Sequence, residues 1–411
     1  MERLISTNFM ENSRAESIVL GLGGTVDFEI AWSNDIFELL VLNNQIQYSE
    51  IAKSKIIDSE RELICTILWF LANSSGGEVQ VSNSEIIKTF SSRFDKKITL
   101  GGTGVRAALA MRKFGLTSTL HLVSIDDNLR EKLPDDLPYI CSASSDTLDP
   151  HLIIQFNQNS TVSVEKTTIT PSRADRIILT CDPPNEILAF SHDFPSALEK
   201  AEIFLISGFN SIHIKEILES RLTEIATITQ SLPNNGLIFF EDAGYHFPEY
   251  QNIVKDKISK LTNFYSMNEE EFQNYLGKSV DFFDSNSVLD AFAAIVKIVS
   301  VPILLIHTKY WSVILGEEFE KYAKCVDSGM AMATSRYIYG DDFTVKDYSN
   351  VCDLPRNPKS LQLSLVVNNV LAEVGQLLPA FEVNCESPTT IGLGDSFVGG
   401  FLLELSKVLQ E

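Results

Sequence analysis

The residues best suited to chemistry lie near the C-terminus, where the sequence runs PTTIGLGDSF from Pro388 to Phe397. An apolar stretch from Leu378 to Val383 predicts a strand before this segment, and apolar residues at helical spacing from Val398 predict a helix after it. Glycines at such a junction let the backbone turn tightly and point several N–H groups at one spot, where the helix dipole adds positive potential. A carboxylate at Asp395 could there take a proton from an alcohol while phosphate charge develops nearby. Because a Gly-Asp pair is also an ordinary helix N-cap, this segment alone leaves both interpretations open.

Composition and charge limit the classes of protein to which the chain can belong. Its 411 residues suffice for one large α/β domain and a smaller one. The formal net charge is -22, so neither a nucleic acid nor an anionic membrane is an expected partner. The six cysteines form no C-x-x-C pair, which argues against zinc and disulfides and fits a reducing compartment. The N-terminus lacks a signal pattern, and Lys297 and Pro302 interrupt the longest apolar window, so we expect a cytoplasmic protein without a membrane span.

Short apolar strands alternate with helical segments along most of the chain. Predicted strands lie at residues 17–24, 98–102, 119–123, 201–207, 236–242, 263–267 and 301–309. Most precede a predicted helix, such as the one from about Phe319 to Tyr339. This alternation predicts an α/β fold with a doubly wound, mostly parallel sheet flanked by helices.

Two segments depart from this alternation. Residues 138–182 contain short β-like runs without helices between them, and residues 31–98 are less regular. We predict that residues 31–98 and 138–182 form a smaller, discontinuous α/β lid. The large domain would then consist of residues 1–30, 99–137 and 183–411. Lys166, Arg173 and Arg176 form a basic patch on the lid, which suits a phosphorylated substrate and equally suits solvated surface.

Polar residues follow several of the predicted strands. They are Asp27, Glu241, Asn268 with Glu271, and Asp395. The carboxyl ends of strands in a doubly wound sheet face one side, so these residues can converge. Acids beside a nucleotide usually hold Mg²⁺, partly through water. Together with a carboxylate beside glycine amides, this set predicts phosphoryl transfer.

These segments resemble motifs of the ADP-dependent glucokinases and phosphofructokinases, in the ribokinase-like sugar kinase superfamily. Residues 390–397 are similar to the family's T-V-G-L-G-D motif, in which the aspartate is the catalytic base and the glycine amides form the anion hole. Residues 265–271 resemble its G-x-N-E-x-E segment, and residues 306–310 its V-H-T-x-Y strand beside the nucleotide. Gly101-Gly102 matches the family's glycine pair, and residues 174–178 are similar to its N-R-F-I lid segment.

The resemblance implies a ribokinase-like fold and a role for each matching residue. A hexose or hexose phosphate would be the acceptor, ADP (or ATP) the donor, and Mg²⁺ the metal. The implied residues are Asp395, Gly392 and Gly394 for catalysis; Asp27, Gly101, Gly102 and Arg176 for the substrate; Asn268, His307, Thr308 and Gly394 for the nucleotide; and Glu241 and Glu271 for the metal. The sequence carries no indication of an oligomeric state.

Three departures from the family's pattern concern the sugar side and the surroundings of the metal. Thr103 stands where the family has Gln or Asn, Phe239 replaces the His of an H-x-E motif, and residues 23–26 replace an Asn-containing loop. Asp395 and Glu271 are in place. Two alternatives therefore stay open, namely an ATP-using sugar or nucleoside kinase of the same superfamily, and a catalytically silent relative that binds a sugar or nucleotide.

Overall fold

The computed structural model describes residues 15–385 and 388–410 of the chain. Its strands in chain order are β1 (Ile18–Leu20), β2 (Thr25–Ala31), β3 (Ile56–Ile57), β4 (Gly77–Val81), β5 (Lys97–Gly101), β6 (Thr119–Leu122), β7 (Tyr139–Cys141), β8 (His151–Phe156), β9 (Val162–Val164), β10 (Thr167–Ile169), β11 (Asp175–Thr180), β12 (Ile203–Ile206), β13 (Leu237–Glu241), β14 (Phe264–Asn268), β15 (Ile303–His307), β16 (Trp311–Gly316) and β17 (Gly375–Pro379).

The helices lie between these strands for most of the chain. They are α1 (Asn34–Asn43), α2 (Glu60–Ala72), α3 (Ser84–Ser91), α4 (Thr103–Arg112), α5 (Asp127–Lys132), α6 (Pro183–Ile187), α7 (Phe194–Leu198), α8 (Lys215–Ile228), α9 (Pro248–Ile258), α10 (Glu269–Leu276), α11 (Ser285–Ile298), α12 (Phe319–Tyr339), α13 (Val345–Cys352), α14 (Pro358–Leu371) and α15 (Leu393–Val408). Among the described residues, none of these helices is both long and apolar enough to cross a membrane.

The large sheet has nine strands in the order β17-β16-β15-β14-β13-β12-β1-β6-β7. All neighbours from β15 to β7 pair in parallel, while β16 and β17 pair antiparallel at one edge. The inner strands are almost wholly apolar: all four residues of β12 are buried, as a parallel strand covered on both faces requires. The predicted doubly wound, mostly parallel α/β sheet is confirmed.

The smaller sheet has six strands in the order β3-β4-β11-β8-β2-β5, and β9 and β10 form a separate hairpin. Successive side chains of a strand point to opposite faces. On one face, residues such as Phe28 and Leu152 join the side chains of α1, α2 and α3 in an apolar core. The other face carries polar side chains, among them Asp27, Glu29 and His151. The smaller sheet therefore has one face for packing and one face for polar contacts.

Strand membership differs from the predicted domain borders in two places. β2 and β5 pair within the smaller sheet, although the predicted borders put most of β2 and the end of β5 in the large domain. β7, predicted in the lid, pairs in parallel with β6 at the edge of the large sheet. Asp27 consequently lies inside β2, and the expectation that it ends the first strand of the large sheet is wrong. The reason is that the chain changes sheets at the short glycine turn after β1. The division into domains itself stays a prediction.

Helix α15 packs against α4 and α12 at very short range. A Cβ atom added to Gly399 would lie 3.0 Å from the Ala107 carbonyl oxygen, and one added to Gly400 would lie 2.5 Å from the Ser328 carbonyl oxygen. Backbone oxygens of neighbouring helices cannot move aside as a flexible side chain can. Glycine at these positions therefore fixes the distance of α15 from both helices, and with it the position of the turn that precedes α15.

We expect Gly400→Val to lower the free energy of unfolding by about 1–3 kcal/mol or more, because the new side chain meets backbone atoms of α12. Urea denaturation followed by far-UV circular dichroism measures the change. Gly244→Val is the matched control, since Gly244 is exposed and has nothing within 4 Å of an added Cβ. An equal change in both variants would contradict the packing argument.

Candidate active site

The turn before α15 provides free backbone N–H groups. Gly392 has φ +67°, which favours glycine, and the helix begins at Leu393. Ser396 N donates to Gly392 O at 3.0 Å, which closes the first turn. The amides of Leu393 to Asp395 precede that bond and are therefore the unpaired donors that every α-helix leaves at its start. The Asp395 side chain is 23% exposed beside them, so a carboxylate and an amide cradle meet at an accessible point.

Asp27 and Asp395 are connected by a buried arginine that the sequence analysis did not single out. Arg106 Nη2 lies 2.7 Å from Asp27 Oδ2 and 3.4 Å from Glu29 Oε1, and Arg106 Nε lies 3.7 Å from Asp395 Oδ2. Asp27 Oδ1 accepts from Thr25 Oγ1 at 2.7 Å. The guanidinium thus joins the polar face of the smaller sheet to α15. The signal available in the sequence was a single arginine among the small and apolar residues 104–111.

The glycine pair lies directly against this cluster. A Cβ atom on Gly101 would collide with the Asp27 carboxylate, and Gly102 has φ +89° and would place a Cβ 3.0 Å from the Gly24 Cα. The structure therefore brings Gly101 and Gly102 to Asp27, which is also predicted to bind the substrate. They also let α4 start close enough for Arg106 to reach β2. Their predicted contact with a substrate stays a prediction.

His151 extends the charged network behind Asp27. His151 Nε2 lies 3.0 Å from Asp182 Oδ2, and its Nδ1 lies 4.0 Å from Asp27 Oδ1. Burial alone lowers the pKa of His151, but the hydrogen bond and charge of Asp182 and the charge of Asp27 outweigh burial and raise that pKa to about 9. His151 is therefore charged at neutral pH.

Three predicted site residues from three elements meet at the start of α15. Glu241 Oε1, at the end of β13, lies 2.9 Å from His307 Nε2, at the end of β15. The His307 ring stacks on Phe397 with 4.5 Å between the ring centroids. A Cβ on Gly394 would lie 3.6 Å from His307 Cε1 and 3.8 Å from Glu241 Oε1. Glu241 Oε2 is buried and has no hydrogen-bond partner among the described residues.

Asn268 and Glu271 form a capping box at the start of α10. Asn268 N and Nδ2 donate to the two Glu271 carboxyl oxygens, each at 2.7 Å, and Asn268 Oδ1 accepts from the amides of Glu270 and Glu271. Burial, with the charges of Asp242 and Glu241, raises the pKa of Glu271 well above its usual range. Both side chains are thus engaged with each other, and their predicted roles toward nucleotide and metal stay predictions.

Asp242 is a further buried acid that the sequence analysis left without a role. Tyr265 and Tyr275 donate to Asp242 Oδ2 at 3.0 and 2.7 Å. Burial raises the pKa of Asp242 to about 6, although these hydrogen bonds lower it. In the sequence, Asp242 could have been recognised as a candidate because it follows Glu241 directly at the end of a predicted strand. Since the two side chains alternate, Glu241 bonds to His307 while Asp242 bonds to the tyrosines.

Two predicted residues are not brought into contact with this centre. Thr308 Oγ1 donates to Trp311 O at 2.7 Å and accepts from the amides of Tyr310 and Trp311, so it closes the turn between β15 and β16. Arg176 lies on the polar face of β11, opposite Gln155 of β8. Its side chain forms no hydrogen bond or ion pair within the part of the chain that the structure describes. Both predicted roles stay predictions.

A cavity of about 540 Å³ lies between the ends of strands β2, β8 and β11 in the smaller sheet and the loop that leads to α15. Its described lining includes an indole, side-chain amides and two carboxylates, and no described lysine or arginine: Ala31, Trp32, Ser33, Asn34, Asp35, Gln155, Phe156, Asn157, Asn159, Ser160, Ala174, Asp175, Pro388 and Thr390. Amides, carboxylates and an aromatic face suit a ligand rich in hydroxyl groups.

The predicted Mg²⁺ has few protein ligands here. Among residues 15–385 and 388–410, no group of three or more His, Cys, Asp or Glu side chains is arranged to hold a metal ion. The unpaired Glu241 Oε2 is nevertheless a suitable single ligand, or a partner for a metal-bound water. Mg²⁺ in nucleotide sites commonly takes one or two carboxylates and completes its shell with water and phosphate oxygens. The residues present fit a metal held largely by the nucleotide.

The raised pKa of His151 predicts how stability changes with pH. Because the folded pKa of about 9 exceeds the unfolded value of 6.5, the stabilisation is fully present below pH 6.5 and is lost as the pH rises through 9, up to about 3 kcal/mol. Urea unfolding at several pH values should show this fall in the original chain and not in His151→Gln. His192→Gln, at an exposed position, should keep the fall. The same slope in the original chain and in His151→Gln would contradict the assignment.

Comparison with known proteins places this geometry in a family. A family model described as the ADP-specific Phosphofructokinase/Glucokinase conserved region matches residues 16–366. The match ends before the turn at Gly392, so the family assignment does not depend on that turn. No curated protein sequence matches this chain.

Solved structures resemble the whole fold at low sequence identity. A hypothetical ADP-dependent phosphofructokinase from Pyrococcus horikoshii OT3 is 15% identical with TM-score 0.78, covering 96% of this chain and 98% of that one. A phosphofructokinase from Pyrococcus horikoshii OT3 with AMP is 16% identical with TM-score 0.76 and the same coverage. An ADP-dependent kinase in complex with fructose-6-phosphate and ADPβS is 12% identical with TM-score 0.72, covering 97% and 96%. These likenesses confirm the predicted fold, and the family model covers most of the chain. The chain therefore belongs to the family of ADP-specific phosphofructokinases and glucokinases, which are phosphotransferases.

Proposed function

We propose that this protein transfers the terminal phosphate of ADP to a hydroxyl group of a hexose or hexose phosphate, with Asp395 as the general base. The observation that carries the proposal is the accessible Asp395 carboxylate beside the unpaired amides at the start of α15. Asp27, Glu241 and Glu271 are all buried, each less than 7% exposed. Asp395 is therefore the acid of this centre best able to reach an incoming hydroxyl.

In the proposed reaction, the Asp395 side chain accepts the proton and the backbone amides of the turn stabilise the phosphoryl group. Asp395 takes the proton of the acceptor hydroxyl while the hydroxyl oxygen attacks the phosphorus in line. The amides of Gly394 and Asp395 donate to the phosphoryl oxygens as negative charge develops there. His307 bonds Glu241 and stacks on Phe397, so its ring covers one side of the first turn of α15. Closure of the smaller sheet over the acceptor would exclude water.

The metal would be held mainly by Glu241. Mg²⁺, when bound, supplies positive charge next to the nucleotide phosphates. Glu241 Oε2 is the free acceptor for it or for one of its waters. Glu271 would act indirectly, since both of its oxygens already accept from Asn268. Glu271 thereby holds the end of β14 in place beside Glu241.

ADP is the proposed donor because the family is ADP-specific, and a structurally similar kinase binds ADPβS. For the acceptor, the described residues that line the cavity near Thr390 include two carboxylates and no cation, which favours contact with hydroxyl groups. Arg176 has no partner among the described residues and lies opposite Gln155 of that lining. It is the available cation for the phosphate of a hexose phosphate.

A second candidate is a binding protein without turnover. It is favoured by Asp27, which is buried and whose two oxygens already accept from Thr25 and Arg106. An aspartate in this state offers little to a sugar. Catalytic competence then depends on whether Asp395 acts on an acceptor held by other groups.

We expect Asp395→Asn to lower turnover by about 10²–10⁴-fold, since the amide cannot accept the proton. Affinity for ADP should change little, because the amides of the turn are retained. Coupled assays of AMP formation give the rate, and calorimetry gives the affinity. Asp290→Asn, at an exposed position of α11, is the control and should keep full activity. Near-full turnover in Asp395→Asn would exclude Asp395 as the base.

Donor and acceptor are tested together with a panel of substrates. Calorimetry with Mg-ADP and Mg-ATP, followed by assays on glucose, fructose 6-phosphate and other hexoses, should show consumption of ADP with at least one acceptor. Consumption of ATP alone would favour the ATP-using alternative. Nucleotide or sugar binding without consumption on any acceptor would favour the binding protein. Chelation of Mg²⁺ should abolish transfer, because the proposed reaction needs the positive charge of the metal next to the nucleotide phosphates.

A further inference from the structure

A buried arginine that the proposed mechanism does not use lies between Asp27 and Asp395. The Arg106 side chain is only 4% exposed, although it belongs to a helix whose neighbouring positions are small and apolar. Burying a cation is costly unless it is paired and hydrogen-bonded. The contacts of the guanidinium therefore indicate its role.

The rear of the guanidinium is held by the smaller sheet. Nη2 bonds Asp27 at 2.7 Å and lies 3.4 Å from Glu29. Glu29 is itself fixed by Thr99, whose hydroxyl donates to Glu29 Oε1 at 2.6 Å. Burial alone lowers the pKa of Arg106, but the charges of Asp27, Asp395 and Glu29 outweigh it and raise that pKa above its usual range. The cation is therefore permanent, and Asp27 serves as its anchor.

The front of the guanidinium faces the turn before α15. Nη1 forms no hydrogen bond with any residue in the described ranges, and a Cβ on Gly392 would lie 2.8 Å from it. A second arginine holds the same turn: Arg336 Nε donates to Ile391 O at 2.6 Å, and its Nη1 pairs with Asp341 Oδ1 at 2.6 Å. An unused pair of N–H donors thus lies next to the amide cradle, while Arg336 holds that cradle through Nε and pairs with Asp341 through Nη1.

We propose that Arg106 contacts the transferred phosphoryl group of the donor and stabilises the charge that develops on it, with Asp27 and Glu29 as its anchors. This inference rests on the proposed kinase function and adds a catalytic residue to it. The phosphorus–oxygen bond to the nucleotide breaks as the bond to the acceptor oxygen forms, and the hydroxyl proton passes to Asp395. Arg106 exchanges no proton, because its N–H groups only donate to phosphoryl oxygens.

The competing explanation is that Arg106 merely ties β2 to α15. Comparison of ADP with AMP separates the two explanations, because AMP lacks the phosphate that would meet Nη1. Loss of a contact with the terminal phosphate weakens the binding of ADP alone. Structural damage at the turn weakens the binding of both nucleotides.

The test is to measure the affinities of Arg106→Lys and Arg106→Met for ADP and AMP by calorimetry, and their turnover with the best acceptor. In Arg106→Lys, which keeps a cation for Asp27, we expect ADP affinity to fall about tenfold to a hundredfold while AMP affinity is unchanged. In Arg106→Met we expect turnover to fall by about 10²–10³-fold. Arg112→Met is the control, because Arg112 lies on α4 in a half-exposed pair with Asp136, and it should change neither quantity.

The outcomes separate this inference from the proposed function. An equal loss of ADP and AMP affinity, no loss in either, or faster turnover in Arg106→Lys would overturn the role of Arg106. If Arg106→Met does not fold, Arg106→Lys decides. If the original chain binds ADP but phosphorylates no acceptor, the proposed function and the catalytic role of Arg106 are both contradicted. The ratio of the ADP and AMP affinities of Arg106→Lys then decides whether Arg106 contacts the terminal phosphate. A chain that binds neither nucleotide overturns both proposals.

Discussion

The buried charge cluster around Arg106 sets the relation between the two sheets at the candidate site. One guanidinium pairs with Asp27 and Glu29 of the smaller sheet and lies 3.7 Å from Asp395 on the large-sheet side. Breaking such a pair by removing one partner costs about 3–5 kcal/mol, because the other charge stays buried and uncompensated. A shift of β2 relative to α15 would weaken the 3.7 Å contact between Arg106 and Asp395. The cluster therefore fixes the distance between the two polar surfaces that enclose the candidate site.

Close packing of α15 makes this electrostatic arrangement possible. Gly399 and Gly400 bring the helix against α4 and α12, and Gly101 and Gly102 let α4 begin beside β2. A side chain at Gly101 would meet Asp27, so the same small residues that admit the backbone also admit the ion pair. Sterics and charge are thus coupled, since a wider helix spacing would leave the guanidinium short of one set of carboxylates.

The sequence predicted the long, regular elements well. It did not predict the points at which the chain passes from one sheet to the other. Helix α12 has the predicted bounds, Phe319 to Tyr339, because its apolar positions recur at helical spacing over many turns. β1 has three residues and β2 begins after a four-residue turn, and periodicity over so few residues cannot say to which sheet a strand belongs. Glu241 and His307 stand at the ends of the parallel strands β13 and β15, so their convergence follows from the predicted sheet. Gly394 reaches them from the start of α15, after the loop that follows β17, which is antiparallel at the sheet edge. The role of Arg106 could not be predicted in this way, because its partners Asp27, Glu29 and Asp395 are all distant from it in the sequence.

Because the net charge is -22, the donors at the turn before α15 must offset the repulsion between the protein and an anionic nucleotide. A chain this acidic repels a nucleotide anion at long range, so binding must rely on donors concentrated at the site itself. Two kinds of donor lie at the turn before α15, namely the backbone amides of the helix start and the Nη1 group of Arg106. Buried charges are screened by salt much less than exposed ones. The proposed anion site at the glycine turn would therefore combine the Arg106 donors with the helix start, which alone would supply only part of the positive potential.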